Sequence, residues 1–288
     1  GPTAVGKTEM SLRLAHQLSI PIISADSRQV FCEVNIGTAK PSIEQLNEVR
    51  HYFINHIPVD SSYNVGQYQH EVSDIIAQLF RVYDHILICG GTGLYIHAIR
   101  NGLDIFPEIP IEIRDQVRMN YELLGLEYLI NEINRLDVEY SKYVDQSNPN
   151  RLMRALEVCL STGLPYSSFI GKKKQDSPYE FKEIFLNTDR KSLYQRINNR
   201  VDNMIKEGLI NEVESLSKYR NTQALNTVGY RELFKYIDKE WTLEMAIDKI
   251  KQHSRNYAKR QITWFNKYSQ GINVSPSQDK EIMDYINA

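Results

Sequence analysis

The sequence predicts an α/β protein in which a parallel sheet is flanked by helices and interrupted by a helical insertion. Three observations carry that expectation. Short apolar runs alternate with helix-period segments through the first third of the chain, the pattern of strand-helix-strand units in a parallel sheet. The chain opens on Gly1-Pro2-Thr3-Ala4-Val5-Gly6-Lys7-Thr8, a G-x-x-x-x-G-K-[ST] phosphate cradle that belongs between a strand and a helix. From Ile111 to about Gly171 the periodicity is helical with no convincing strand, and a strand-like run returns at Phe181-Lys182-Glu183-Ile184-Phe185-Leu186. A P-loop NTPase-like core that holds a helical insertion domain accounts for all three.

Each element follows from its local pattern. Glu9 to Leu18 reads as an amphipathic helix with Met10, Leu14 and Leu18 on one face. Ile20-Pro21-Ile22-Ile23-Ser24 reads as a short buried strand running into Asp26, and His51 to Pro58 as another. Asn64 to Arg81 is helical. His85-Ile86-Leu87-Ile88-Cys89 is an apolar strand, broken by Gly90-Gly91-Thr92-Gly93 before a helix from Leu94. The insertion leaves near Pro107 and returns near Tyr179, which gives a core of residues 1–107 and 178–288 and an insertion of residues 108–177. Lys172 to Pro178 is expected as the exposed return loop. Ser192 to Tyr219 carries the stripe Leu193, Ile197, Val201, Ile205, Leu209, Val213 and Leu216, with a bend at Gly208. A last long helix runs from about Thr242 to Tyr268. The cradle also requires a preceding strand, expected upstream of Gly1.

Bulk properties exclude several classes. No run in the 288 residues approaches a membrane span. Cys32, Cys89 and Cys159 are scattered, so no disulfide framework is implied and a reducing cytoplasm is expected. Three cysteines are too few for a cysteine-based zinc finger, and the histidines show no zinc-ligand spacing. The net charge is −2, so any nucleic-acid role must rest on a local patch.

The cradle chemistry explains its residue types. Glycines let backbone N–H groups wrap a diphosphate, Lys7 adds a point charge, and the Thr8 hydroxyl can hold Mg²⁺. The helix that follows adds its N-terminal dipole. In open parallel sheets ligands bind beyond the carboxyl ends of the strands, so Gly1 to Thr8, Asp26-Ser27-Arg28-Gln29 and Gly90-Gly91-Thr92 should face one crevice. There Asp26 can reach a substrate proton or Mg²⁺, or it can simply cap a helix. Thr92 can orient a substrate or serve as a turn residue. No acidic residue ends the His85 to Cys89 run, which argues against plain nucleotide hydrolysis. Two arginine pairs, Arg151 with Arg154 and Arg196 with Arg200, have the spacing of one helical face and suit phosphates, or else decorate a solvated face. The last helix carries Lys249, Lys251, Arg255, Lys259, Arg260 and Lys267 with Tyr257, Trp264 and Phe265 interleaved, a mixture suited to RNA. Trp264 is expected in the core rather than on a base.

Together these segments resemble the tRNA dimethylallyltransferase (tRNA isopentenyltransferase) family, in its bacterial type without a zinc finger. The resemblance runs in order through the cradle at 1–8, Ile-Ser-Ala-Asp-Ser-Arg-Gln-Val-Phe at 23–31 and Ile-Gly-Thr-Ala-Lys-Pro at 36–41. It continues with Gly-Gly-Thr-Gly-Leu-Tyr at 90–95, Arg-Leu-Met-Arg-Ala-Leu-Glu-Val at 151–158, Val-Gly-Tyr-Arg-Glu at 228–232 and Lys-Arg-Gln-Ile-Thr-Trp-Phe at 259–265. It implies transfer of a dimethylallyl group from dimethylallyl diphosphate to N6 of adenine 37 of tRNAs. By that likeness Asp26 is the general base and Thr92 lies near the reacting groups. Gly1, Thr3, Ala4, Val5, Gly6, Lys7 and Thr8, with Thr8-bound Mg²⁺ and Arg200, hold the diphosphate. Asp26, Ser27, Arg28, Gln29, Thr92, Arg114, Asn150, Arg151, Leu152, Met153 and Arg154 contact tRNA. The helical insertion clamps the anticodon stem-loop. Phe31 stands where the family commonly has a tyrosine. A cytoplasmic monomer with no membrane partner is expected.

Three other functions share part of this pattern. A P-loop small-molecule kinase uses the same cradle but leaves the Arg151 and Lys259 segments unexplained. A prenyltransferase acting on free AMP or ATP needs no large helical clamp. A tRNA-binding module without catalysis leaves the cradle and Asp26 without a purpose.

Overall fold

The computed structural model describes residues 1–171 and 177–288, so most of the expected return loop, Lys172 to Asp176, lies outside the described residues. The chain divides into two compact units, Gly1–Arg100 with Pro178–Ala288, and Asn101–Ser177. The first crossing thus falls before residue 107. The segment beyond Asn101 belongs with the insertion because Phe106 stacks on Tyr166, with ring centroids 5.0 Å apart.

The first unit opens with α1 (Lys7–Leu18), which buries Met10, Leu14 and Ala15. Strand β1 (Ile22–Ala25) is buried along its whole length, as expected of a central parallel strand covered on both faces. It lies between β2 (His51–Tyr52) and β3 (Leu87–Gly90), parallel to both, with Ile22 opposite Leu87 and Ala25 opposite Gly90. The expected strand from His51 to Pro58 stops at Tyr52 because Phe53 and Asn55 take left-handed backbone angles, φ 61° and 52°, which no strand can continue. Between β1 and β2 lies the short α2 (Ile43–Glu48). Helix α3 (Val65–Leu79) starts at Asn64, whose side chain accepts the Gly66 and Gln67 amides. It buries Tyr68, Val72, Ile76 and Leu79 along one face. Helix α4 (Gly93–Asn101) follows β3.

Within the second unit, α5 (Ile111–Leu136) is interrupted at Gly125 and followed by α6 (Val138–Ser141) and α7 (Pro149–Thr162). Asn148 caps α7 and Pro149 opens it, the arrangement that suits a missing N–H at the first helical position. Val117, Leu129, Ile133, Tyr140, Leu152, Ala155 and Leu156 form its core. Asp137, 2% exposed, ties the helices together. Its carboxylate accepts the Tyr140 amide at 2.9 Å and the amide and hydroxyl of Ser167 at 2.6 and 2.8 Å.

Back in the first unit, β4 (Ile184–Leu186) is shorter than the expected Phe181–Leu186 run. The expected helix from Ser192 to Tyr219 is two helices, α8 (Arg190–Lys206) and α9 (Leu209–Ser215). Gly208 breaks it with φ 99°, yet the buried stripe continues through Leu209 and Val213. Helix α10 (Tyr230–Ile237) precedes α11 (Leu243–Tyr268), which Thr242 caps. Strand β5 (Ile272–Val274) pairs in parallel with β4, and α12 (Asp279–Asn287) buries Ile282. The two sheets flank the cradle: Gly1 lies against Leu186 on β4, while the first turn of α1 touches Cys89 on β3. Among the described residues no helix is long and apolar enough to cross a membrane.

Candidate active site

The cradle is held in shape by its own lysine. Lys7, in the first turn of α1, donates from Nζ to the carbonyls of Gly1 and Pro2 at 3.0 and 2.7 Å. Burial lowers its pKa to about 8, opposed by Cys89 and Asp26 and reinforced by Arg200. Val5 is fully buried in the core, so it offers only its backbone, and Ala4 takes the left-handed φ of 61° that turns the loop.

Both arginines of the Arg196 and Arg200 pair reach this loop, Arg200 half-buried and Arg196 still exposed to solvent. Arg196 donates from Nη1 to the Val5 carbonyl at 3.2 Å. Arg200, one turn later on α8, donates to the Thr3 hydroxyl at 3.3 Å and to the Thr38 carbonyl at 3.4 Å. Burial pushes its pKa down while Asp26 acts in the opposite sense. Asp26 is thus the carboxylate that both cradle cations sense.

Asp26 follows β1 and uses one oxygen in its expected capping role. Its Oδ1 caps the following turn, accepting the Arg28 and Gln29 amides at 2.8 and 3.3 Å. Its Oδ2 takes no hydrogen bond among the described residues. Thr92, beyond β3, closes the other side: its Oγ1 accepts the Ser27 amide at 3.0 Å and lies 3.3 Å from the Ser27 hydroxyl. Its own amide returns to the Ala25 carbonyl at 3.1 Å. The sheet ends therefore bring the three predicted loops together.

Other predicted residues are committed within the protein. The Arg28 guanidinium donates to the Gln223 carbonyl at 2.6 Å and the Asn226 carbonyl at 3.5 Å. Gln29 donates to the carbonyls of Thr38 and Ala39 at 3.2 and 3.1 Å. On α11, Lys251 pairs with Asp202 at 2.6 Å and Arg255 with Asn198 at 2.7 Å, whereas Lys259 and Arg260 are exposed. Trp264 is half-buried against Gly93 and edge-on to Phe265, as a packing residue.

In the insertion unit Arg114, Asn150 and Arg151 are exposed. Leu152 is 0% exposed, so its side chain presents no surface for the expected tRNA contact, whereas Met153 packs against the same core and stays half-buried. Arg154 lies over the Phe106 ring at 5.4 Å and pairs with Glu157 at 3.5 Å.

The IPP transferase family profile matches residues 29–268 of the chain. The chain belongs to the IPP transferase family. A protein of Bacteroides fragilis named tRNA dimethylallyltransferase 1 is 45% identical over 288 residues, covering 100% of this chain and 96% of its own length. The tRNA dimethylallyltransferase of Flavobacterium johnsoniae is 44% identical over 99% of this chain and 95% of its own. The crystal structure of the tRNA isopentenylpyrophosphate transferase of Bacillus halodurans matches with a TM-score of 0.73 at 34% identity, covering 100% of this chain and 92% of that one. A eukaryotic dimethylallyltransferase crystallised acting on tRNA, 21% identical, shares the fold with a TM-score of 0.82 over 98% of this chain and 73% of that one.

In this IPP transferase family member, two site groups lie outside the sequence expectations. Gln261 bridges the cradle and the Gly91 turn. Glu212, on α9, gathers the amides of Asn35, Ile36 and Gly37 at 3.0, 2.8 and 3.0 Å and accepts the Tyr230 hydroxyl at 2.6 Å. That carboxylate anchors the loop whose Thr38 carbonyl serves both Arg200 and Gln29. A readable signal existed for Gln261, a polar residue in the apolar seam between Ala258 and Phe265. None existed for Glu212. Tyr257, noted only as interleaved, sits at the rim, 5.7 Å from the Arg260 guanidinium. Burial raises its phenol to about 12, with Asp26 adding to the rise and Arg28, Arg260 and a Thr92 hydrogen bond opposing it.

Proposed function

We propose that this chain transfers a dimethylallyl group from dimethylallyl diphosphate to N6 of adenine 37 in the anticodon loop of tRNAs, releasing diphosphate. The single observation that carries this reading is the pairing of a cation-lined phosphate cradle with Asp26, whose Oδ2 takes no hydrogen bond among the described residues. Lys7, Arg200, the Thr3 hydroxyl and the cradle amides hold the diphosphate. As its bond to the allylic carbon breaks, negative charge grows on the departing oxygen, and these fixed donors stabilise it. The N6 lone pair forms the new bond to carbon. N6 then sheds a proton, for which Asp26 Oδ2 is the acceptor.

Mg²⁺ fits this site as a phosphate-held ion. Among the described residues there is no cluster of three His, Cys, Asp or Glu side chains to cage it, and the Thr8 hydroxyl together with substrate phosphates suits an ion that keeps several waters. When bound, it neutralises diphosphate charge. Exposed Arg114, Asn150 and Arg151 in the insertion, and Lys259 and Arg260 on α11, are the groups available to the tRNA backbone. A tRNA substrate supports work in the cytoplasm.

The test is transfer of label from dimethylallyl diphosphate to an anticodon stem-loop with adenine at positions 36 to 38. Labelled RNA is expected and labelled AMP is not. Label in AMP alone, or tight ATP binding with no affinity for dimethylallyl diphosphate, would overturn the reading.

A further inference from the structure

Helix α11 carries one polar side chain in its apolar seam. Ala258, Gln261 and Phe265 are all buried, with Gln261 only 6% exposed. Its carboxamide is spent on the backbone of two different loops. Oε1 accepts the Thr3 amide at 2.8 Å, and Nε2 donates to the Gly91 carbonyl at 2.9 Å. The packing leaves no slack. A Cβ on Gly91 would stand 2.4 Å from Gln261 Nε2 and 3.6 Å from Lys7 Nζ, so carboxamide, turn and ammonium form one layer.

The two tethered points are the two halves of the site. Thr3 bears the hydroxyl that Arg200 grips. Gly91 precedes Thr92, whose hydroxyl takes the Ser27 amide beside Asp26. We propose that Gln261 is a positioning residue for the transfer reaction, one that locks the diphosphate cradle to the Gly91–Thr92 turn and so fixes the leaving group relative to the Asp26 carboxylate. The inference rests on the transferase reading above.

Only certain groups can do this. The position needs an acceptor toward Thr3 and a donor toward Gly91, both out of water. A carboxamide supplies both. A carboxylate supplies two acceptors, faces the Gly91 carbonyl with repulsion and adds negative charge beside the diphosphate. A protonated carboxylic acid restores one donor and one acceptor in nearly the same shape. Methionine keeps the length and supplies neither.

These differences define the experiment. The dissociation constant for dimethylallyl diphosphate is measured calorimetrically for the parent, Gln261→Glu and Gln261→Met across pH 5 to 8, with kcat and both KM values at pH 8. At pH 8 both variants should bind the diphosphate roughly ten- to a hundredfold more weakly, the usual result of leaving buried polar groups unpaired. Both should also turn over more slowly at saturation, with KM for tRNA little changed. As pH falls, the gap between Gln261→Glu and the parent should narrow while that of Gln261→Met stays open. A merely structural role predicts no such selective rescue. Should Gln261→Met not fold by circular dichroism, the Gln261→Glu series decides alone, since it keeps size and one acceptor. Variant affinities within twofold of the parent at pH 8, or a Gln261→Glu gap that ignores pH, would overturn the lock while leaving the transferase reading intact. A parent that binds no dimethylallyl diphosphate overturns both.

Discussion

The two units present their arginines in opposite ways. On α8, half-buried Arg200 and exposed Arg196 are both hydrogen-bonded to the cradle loop. In the insertion, Arg114 and Arg151 stand exposed, and Arg154 rests on an aromatic ring. The first arrangement fixes direction before any ligand arrives, and at the less exposed Arg200 it is the less screened by salt. The second supplies charge that water and ions attenuate within a Debye length of ~8–10 Å. Similar spacing, four residues for Arg196 and Arg200 and three for Arg151 and Arg154, therefore produces two kinds of arginine, one held by geometry and one offering exposed charge. The difference is set by whether a helix face meets a backbone loop or solvent.

The strongest way to break that comparison is to remove the carboxylate that Arg200 and Lys7 both sense. Asp26→Asn is expected to cut kcat on the order of 10²- to 10⁴-fold while leaving the dissociation constant of dimethylallyl diphosphate close to the parent's. Near-normal turnover would remove Asp26 as proton acceptor. Arg200→Ala comes next, with a rise of roughly ten- to a hundredfold in KM for dimethylallyl diphosphate, as for loss of a charged hydrogen-bonding partner. That rise should persist at high salt. A defect confined to tRNA affinity would place Arg200 with the outward class.

Lys7 sharpens the inward case through pH. Its pKa is lowered to about 8 in the free protein, chiefly by burial. A bound diphosphate favours the ammonium and raises that value, so binding takes up a proton wherever the free lysine is neutral. Affinity should be flat below pH 8 and fall by up to about tenfold per unit above it. By the same linkage, the ligand-free fold carries fewer protons here than the unfolded chain between about 8 and 10.5, so this group's contribution to stability rises with pH across that window. Affinity unchanged from pH 7.5 to 9.5 would show that Lys7 does not touch the diphosphate. The smallest effect belongs to the outward class. Arg151→Ala with Arg154→Ala should weaken tRNA binding severalfold at moderate salt and reduce the slope of log affinity against log salt by about one to two. Dimethylallyl diphosphate binding should not change. A parent slope near zero would count against backbone-held RNA.

What could be read in advance follows the same division. The cradle, Asp26 and Thr92 were legible because phosphate and proton chemistry restricts residue type and spacing. Strands β1 and β3 and helix α3 were legible from apolar runs and caps. That the Arg28 guanidinium also donates to the carbonyls of Gln223 and Asn226 was not legible, because backbone acceptors carry no sequence code. Glu212 was invisible for the same reason. Leu152 sat beside two arginines in a resembling segment, yet its helix phase turns it into the core. Strand β5 and helix α12 escaped because each is short and depends on a partner distant in sequence.

The three amides gathered by Glu212 carry a consequence for how this loop tolerates substitution. A turn held by its own side chains is fragile at each of its positions. Here the fastening is to main chain, so the side chains of Asn35 and Ile36 contribute little to it, and the burden passes to a residue on a helix far along the sequence. Exchanges at Asn35 and Ile36 should be borne more easily than Glu212→Gln, which presents N–H where at least one of the amides, or the Tyr230 hydroxyl, needs an acceptor; Gly37 is the exception, since a Cβ there would stand 2.5 Å from the Tyr230 ring. A scan of single substitutions would therefore find the sensitive positions of this loop at Gly37 and, outside the loop itself, at Glu212.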